Sequence, residues 1–561
     1  MKKNNYIIII LIFSVLVFIS ILSIKDIKLK YHNSSDSLYK LRGVVCQTLF
    51  EKDQIGGFFL QFNVVDNNNI STLKYSKKNQ IKSGIYVKSN LKVNVGDEII
   101  IKGKIVEKNN QFEVHNPFLI DMKSTNNKFI INDLKPPFTP EILELYEGSL
   151  VRINHELFLT NSYNYLKYGQ LKFSTELLTK NTELFSNVDS IKNHEIIQFT
   201  KSIYLDDLSN KKYPTSENLY LNPTIIKSIL KCKNIIGFLT QYKEKYFIRV
   251  INQIDISEKH LNHSYKNYLD KNLILNLNVQ NLFNGDNESQ DFSKSRGAKN
   301  QDQYDLQLKK IGNLINTLKP KIITLMEIEN DGNNSSSTIF QLTNFLNKNF
   351  NFSYKFPLID GNHGNDVIKS TILYDSLYFN DDIKSYYLKD TLFSRYPLFH
   401  KFSTQNDLKF TICVNHFKSK SPYNASGKNL PQNDGQGAFN FKRELQARFL
   451  VNHINKNHLD ENIIILGDFN SYSKETPIKI ISDHFYKFKT KYYSYVYKGL
   501  RGNLDHVFCN HNFKKNISMV EVLDINAKYP NWIGYKYNEF SDESYYRCSD
   551  HNPIIIQIDD L

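Results

Sequence analysis

Past Lys271 the chain settles into one repeating pattern, and that pattern limits the fold more than any other feature. Short apolar runs alternate with stretches whose apolar residues recur every three or four positions. The runs predict strands at Leu273–Val279, Lys321–Met326, Ile368–Leu373, Phe410–Val414 and Ile463–Leu466. The spaced stretches predict helices at Leu306–Leu318, Ile339–Leu346 and Phe441–Ile454. Alternation sustained over residues 268–561 implies a layered α/β domain.

Several apolar runs end on polar residues. Asn278 closes Leu275-Asn276-Leu277, Glu327 follows Ile322–Met326, and His416 follows Val414-Asn415. Gly467-Asp468-Phe469-Asn470 follows Ile463–Leu466, and Leu504-Asp505-His506 and Ser549-Asp550-His551-Asn552-Pro553 come later. Each alone has an ordinary explanation: a solvated loop acid, a turn or a packed histidine. Together they hold what attack on a phosphodiester needs: carboxylates for a hard cation, amides for phosphate oxygens and two imidazoles for proton transfer. Polar groups at strand ends converge on one mouth of a layered sheet.

The N-terminal half has a different texture. Leu41–Val45, Gly57–Phe62, Gly84–Val87 and Val95–Ile105 predict five or six short strands within 39–125, and Val95-Gly96-Asp97-Glu98-Ile99 reads as a tight turn into a barrel strand. This region resembles an OB-fold, a barrel that often offers a groove to oligonucleotides. Lys135-Pro136-Pro137 marks a boundary, and residues 140–265 read as mostly β. There Asp206-Asp207 is a paired carboxylate, better explained as a turn than as a metal site, because no histidine or third acid is near in sequence.

Composition narrows the partners and the compartment. The net charge of +14 and pI near 9.1 suit a polyanion, but Lys, Asn, Ile and Tyr enrich the whole chain, so charge alone assigns no partner. Arg is scarce, with nine residues, and Arg296, Arg395, Arg443, Arg501 and Arg547 lie in or beside the motifs. Arg retained where Lys usually serves implies a bidentate donor for phosphate or carboxylate. Five scattered Cys without CxxC spacing exclude a zinc ribbon and a disulfide-dense scaffold. Lys2 and Lys3 precede an uncharged apolar run, Tyr6–Ile24, with no A-x-A-like cleavage site after it. Residues 1–24 are therefore a signal peptide or a retained membrane anchor, and 25–38 a linker. Either way the rest is expected outside the cytoplasm or at the cell surface, touching membrane only through that segment.

Asn278, Glu327, His416, Gly467–Asn470, Leu504–His506 and Ser549–His551 resemble, in order, the motifs of the endonuclease/exonuclease/phosphatase superfamily, the DNase I-like fold. Arg296-Gly297-Ala298, Glu327–Gly332, Asn415–Lys420, Asp434–Asn440 with Arg443, and Glu475-Thr476-Pro477 resemble its extracellular bacterial nuclease branch, whose members carry an OB-like domain first. Two departures are Asn526-Ala527-Lys528 and Asn552, where acids are commoner. The resemblance implies a four-layer α/β sandwich after an all-β barrel and a mostly-β middle region.

It also implies a secreted, metal-dependent nuclease acting on DNA or RNA, with no obligate protein partner. A phospholipid or inositol-phosphate phosphodiesterase of the same fold is the alternative. Glu327 is the expected main ligand of Mg²⁺ or Mn²⁺ (Ca²⁺ being an alternative structural ion), with Asn278 beside it and Asp550 at a second metal position. The resemblance makes His551 the base and Asp505 its orienter. His416 is then the second imidazole, with Asp366 a candidate to orient it, and Asp468 and Asn470 hold water and phosphate oxygens. Arg296, Lys418, Asn440 and Arg443 are the expected substrate contacts, unless the Asp434–Gly437 loop simply caps the helix after it.

Overall fold

The structure is a computed structural model. It describes residues 38–62, 84–214, 219–226, 230–258, 268, 272–285, 291–359, 361, 363–379, 384–405, 407–458, 461–537 and 539–559. The apolar run Tyr6–Ile24 and linker residues 25–37 lie outside the described residues. Among the described residues no helix is long and apolar enough to cross a membrane. The chain divides into two compact units.

The first unit comprises residues up to 176, 199–222 and 231–257. Its strands β1 (Leu38–Thr48), β2 (Phe58–Phe62), β3 (Gly84–Lys88), β4 (Glu98–Lys108) and β5 (Gln111–Ser124) close into a barrel in the order β1-β2-β3-β5-β4. Strand residues two apart point to one face, so Leu41 and Val45, Phe58 and Leu60, Ile85 and Val87, and Ile99 and Ile101 fill its interior. A Cβ on Gly43 would stand 2.3 Å from the Gln61 carbonyl oxygen, so glycine lets β1 approach β2. A nine-stranded sheet follows, formed from strands between Asn132 and Glu258.

The second unit comprises 177–198, 223–230 and 258–561. The middle region is thus shared between the two units. Two six-stranded sheets lie face to face. One is built around Leu273–Leu282, Ile322–Glu329, Ile368–Asp375 and Ile554–Ile558, the other around Lys409–His416, Ile463–Asp468 and Asp505–Cys509. Ile274, Ile322, Ile412, Ile464 and Val507 interdigitate between the sheets. The outer face of the first sheet packs on helices Gln301–Leu318 and Thr338–Phe350 through Leu275, Leu325, Ile311 and Leu342. Helices Asn440–Asn457 and Thr476–Ser482 cover the other sheet through Cys413, Ile465, Leu450 and Ile478. Helix, sheet, sheet, helix gives four layers. All five cysteines are buried and free.

Candidate active site

Period-two alternation explains how most of the polar strand ends meet. Ile412 and Val414 face the space between the sheets, and two residues on, so does His416. The same step carries Ile464 and Leu466 to Asp468, Val507 back to Asp505, and Ile274 to Asn278. His506 has the opposite parity, and its Nε2 sits 2.8 Å from the Ser471 carbonyl oxygen, away from the mouth.

Glu327 breaks the rule. Ile322 and Met326 face the other sheet while Ile323 and Leu325 face the helices, so Glu327 should turn outward. Instead its φ is +66°, and the pairing with both neighbouring strands slips between Leu325 and Ile328 and between Asn278 and Leu282. Ile328 then takes the helix-facing side. Gln280 and Asn281 on the adjacent strand also have positive φ, so two strands bulge together. A bulge re-aims a side chain, and this one swings Glu327 into the mouth. Gly467 meets a related demand: its φ is +127°, and a Cβ there would lie 2.1 Å from the Asn415 carbonyl oxygen.

The resulting cluster is compact. Asn278 Nδ2 donates to Glu327 Oε1 at 3.1 Å and to Asp468 Oδ2 at 3.3 Å, bracketing carboxylates from the two sheets. Asn281 Nδ2 donates to Glu327 Oε2 at 2.8 Å. His416 Nε2 stands 3.9 Å from Glu327 Oε1 and 3.6 Å from Asp468 Oδ2. His551 Nδ1 meets Asp505 Oδ2 at 2.7 Å, and its Nε2 faces Asp468 Oδ2 at 3.9 Å. Tyr495 packs on the His551 ring, centroids 4.6 Å apart. Asp468 Oδ1 accepts the Asn470 N–H at 2.8 Å, and Asn470 Nδ2 donates to the Phe417 carbonyl at 3.1 Å.

Burial and mutual repulsion set the charge state. Burial, reinforced by Asp550, raises the Glu327 carboxyl, and burial pushes Asp468 up to about 7 against the opposing pull of His551. Burial also drives His416 well below the usual imidazole range, helped by Arg395 and His551. For His551 burial works the same way, but Asp505 and Asp468 together outweigh it and hold the ring well above its usual value. Crowded, partly dehydrated carboxylates are the environment a divalent cation relieves.

The donor set fits such an ion. Among the described residues, one group of three His, Cys, Asp or Glu ligand atoms lies within 4.8 Å of one another: Glu327, His416 and Asp468. Oxygen donors with one imidazole and no thiolate suit a hard or borderline cation. Asp550 lies outside this trio and acts on Glu327 through its charge. Asn278, expected beside Glu327 at the metal position, accepts the Gln280 N–H on Oδ1 at 2.9 Å and donates Nδ2 to both acids, so it orients them.

Other expectations also change. Arg443 is fully buried and donates to Ser471 Oγ and to the carbonyls of Lys418, Ala438 and Gln436. It holds the glycine-rich loop and cannot reach a substrate. Arg501 donates to the Leu177 carbonyl and Arg547 to that of Asn526. A rigid fork of donors can satisfy several loop carbonyls at once, as Arg443 does here. Asn440 is buried, with its amide on Glu444 at 3.1 Å. Asp366 pairs with Arg296 at 3.1 Å and Arg395 at 3.8 Å rather than with His416. Arg296 remains exposed, and half-buried Lys418 lies over the Phe439 ring at 4.7 Å. Asn552 accepts the N–H groups of Asn526 and Ala527 and donates to the Tyr493 carbonyl, a donation an aspartate could not make. Asn281 went unassigned in the sequence, and Arg395 was marked there only as a bidentate donor. The Asn at the end of an apolar run was the available signal for Asn281.

Residues 275–551 match the model of the Endonuclease/Exonuclease/phosphatase family. No curated protein matches the chain. Among solved structures it is similar to an endonuclease/exonuclease/phosphatase family protein from Leptotrichia buccalis, at 12% identity over 51% of this chain and 99% of that one, TM-score 0.34. It is also similar to the mannosyl-6-phosphatase Bt3783 of Bacteroides thetaiotaomicron (11% identity, 51% and 99% covered, TM-score 0.33). A third is D. rerio TDP2 complexed with single-strand DNA product (13% identity, 51% and 98% covered, TM-score 0.32).

Proposed function

We propose, from the premise that residues 275–551 form an endonuclease/exonuclease/phosphatase domain, that this chain is an exported, Mg²⁺- or Mn²⁺-dependent nuclease. The observation that carries the reading is the Asn278 bracket, which joins Glu327 and Asp468 from two sheets opposite the His551–Asp505 pair. A cation site and an oriented imidazole thus share one mouth. The basic net charge of +14, the exposed Arg296, the half-buried Lys418 and the N-terminal barrel, read as OB-like, support nucleic acid as the substrate. Export rests on the Tyr6–Ile24 run.

Glu327, Asp468 and His416 would hold the ion, which when bound neutralises charge on the phosphoryl oxygens. Asp505 commits His551 Nδ1, so Nε2 is the atom that takes the proton of the attacking water, after the ring has released to solvent the proton that Asp505 and Asp468 favour on it. Asp505 also stabilises the imidazolium that forms. His416, kept neutral by burial, would offer Nε2 to the ion or donate an Nε2–H to a phosphate oxygen. Asn470 and Asn278 hold the carboxylates and the loop in register.

Plasmid DNA, RNA, an inositol phosphate and a choline phospholipid, each assayed with Mg²⁺, with Mn²⁺ and with excess chelator, test the proposal. Metal-dependent cleavage of nucleic acid is the expected result. Hydrolysis of the lipid or inositol substrate alone transfers the site to that class, and full activity in chelator removes the metal.

A further inference from the structure

Residues 177–198 lie far in sequence from every motif, yet they pack within the second unit. There the Glu183 carboxylate, only 9% exposed, gathers four donors from two loops. Oε2 accepts the N–H groups of Ser473 at 3.1 Å and Asn503 at 3.0 Å. Oε1 accepts Ser473 Oγ at 2.6 Å and Asn503 Nδ2 at 3.1 Å. Ser473 follows the Asp468–Asn470 motif, and Asn503 stands two residues before Asp505.

Those loops continue neighbouring antiparallel strands in which Asp468 lies opposite Asp505. The backbone ladder gives one more bond, Phe469 N–H to the Leu504 carbonyl at 2.9 Å. Beyond it His506 Nε2 meets the Ser471 carbonyl at 2.8 Å, and Glu183 then ties Ser473 to Asn503. Its neighbour Thr182 makes a second: the Lys474 N–H donates to the Thr182 carbonyl at 3.0 Å, and Thr182 Oγ1 donates to Glu475 Oε1 at 2.7 Å. Glu475 Oε2 accepts from Lys420, four residues past His416. Short backbone bonds between Lys180 and Arg501 and between Arg501 and Leu178 anchor the segment.

We infer that Glu183 is a positioning residue, setting the gap between the Asp468 and Asp505 loops so that one imidazole, His551, reaches both carboxylates. The inference rests on the phosphoesterase reading of the site. Charged groups that accept several N–H bonds hold their neighbours more firmly than neutral ones, and outer partners of this kind are costly to lose. Gln at this position keeps the shape, but one of its terminal atoms becomes a donor facing donors.

The test compares Glu183→Gln with Glu195→Gln, an exposed acid on the same segment, in the full chain. Hydrolysis of bis(p-nitrophenyl) phosphate with Mn²⁺ gives kcat and KM. Trp532 emission follows unfolding. The low-field proton resonance of the Asp505–His551 hydrogen bond, identified by its loss in His551→Ala, reads the geometry without turnover. Glu183→Gln is expected to lower kcat about ten- to a hundredfold with KM within about twofold, and to move or abolish the resonance in protein that still melts cooperatively. Glu195→Gln should change none of these. Unchanged kcat and resonance, or a loss of kcat only in step with folded fraction, overturns the inference. If the wild-type chain hydrolyses nothing, the hydrolase reading falls, while a resonance moved by Glu183→Gln still upholds the positioning role.

Discussion

An acid pair in each unit is raised by dehydration, yet only the pair in the second unit resembles a catalytic centre. In the first unit Asp206 and Asp207 are raised by burial to about 6 and about 7; in the second, Asp468 is raised to about 7 and Glu327 also upward. Dehydration therefore does not separate them. Asp206 and Asp207 are adjacent in the chain at the end of one strand. Asp207 closes a turn on the Ser209 N–H at 2.8 Å, and Arg249 stands 3.6 Å from Asp206. Asp206 even lines a cavity of about 660 Å³, but no histidine lines it. Glu327 and Asp468 come from different sheets and meet two imidazoles and a shared amide. A perturbed carboxylate reports its surroundings, whereas a site needs different chemistries brought together by independent elements.

The largest contrast should come from neutralising one acid of each pair. Glu327→Gln should cut phosphodiester turnover roughly a thousandfold, about 4 kcal/mol of transition-state stabilisation, while Asp206→Asn stays within about twofold. Comparable losses in steady-state assays of folded protein would erase the distinction. Next, His551→Ala should lower kcat by about a hundredfold or more, with Asp505→Asn close behind. The double variant should be little worse than either single one, because the two act as a unit; multiplicative losses would separate them.

A smaller effect sharpens the comparison through binding. Trp532, the chain's sole tryptophan, lies in the second unit, so its emission reports that unit's unfolding. Mg²⁺ or Mn²⁺ at about a hundred times its Kd should stabilise this unit by about 2.7 kcal/mol. Glu327→Gln should remove the shift, and Asp206→Asn should leave it. The last effect, which leaves turnover untouched, is the first unit's response to pH. Its two aspartates have folded values above their unfolded ones. Their stabilisation is therefore complete below the ordinary carboxylate value and is lost as pH rises through about 6 and about 7. The slope is at most about 1.4 kcal/mol per pH unit for each carboxyl. Calorimetry of the wild type against Asp206→Asn/Asp207→Asn should show the loss flattened in the double variant.

Much of the second unit was legible because its signals are local. Apolar runs marked the strands at Leu273, Ile322, Ile368, Lys409 and Ile463 to within a few residues, and three- and four-residue spacing marked the helices. Arginine was legible in part: Arg296 and Arg395 meet a carboxylate, that of Asp366. Its scarcity showed that a bidentate donor was needed at Arg443, Arg501 and Arg547, but composition does not say whether the acceptor is a ligand or the protein's own carbonyl.

The sequence by itself determined which residues end the strands and, through the two-residue period, that Asn278, His416, Asp468 and Asp505 each share a face with residues two and four positions away on their own strands. Alternation follows from backbone geometry and needs no partner. The tertiary structure alone decided that Glu327 joins them, because a paired bulge in two adjacent strands reverses its parity. It also decided that Glu183, nearly three hundred residues before Ser473, braces two of their loops: its hydrogen bonds reach across 290 and 320 residues of chain. Contacts so distant in sequence exist only once the sheets have packed.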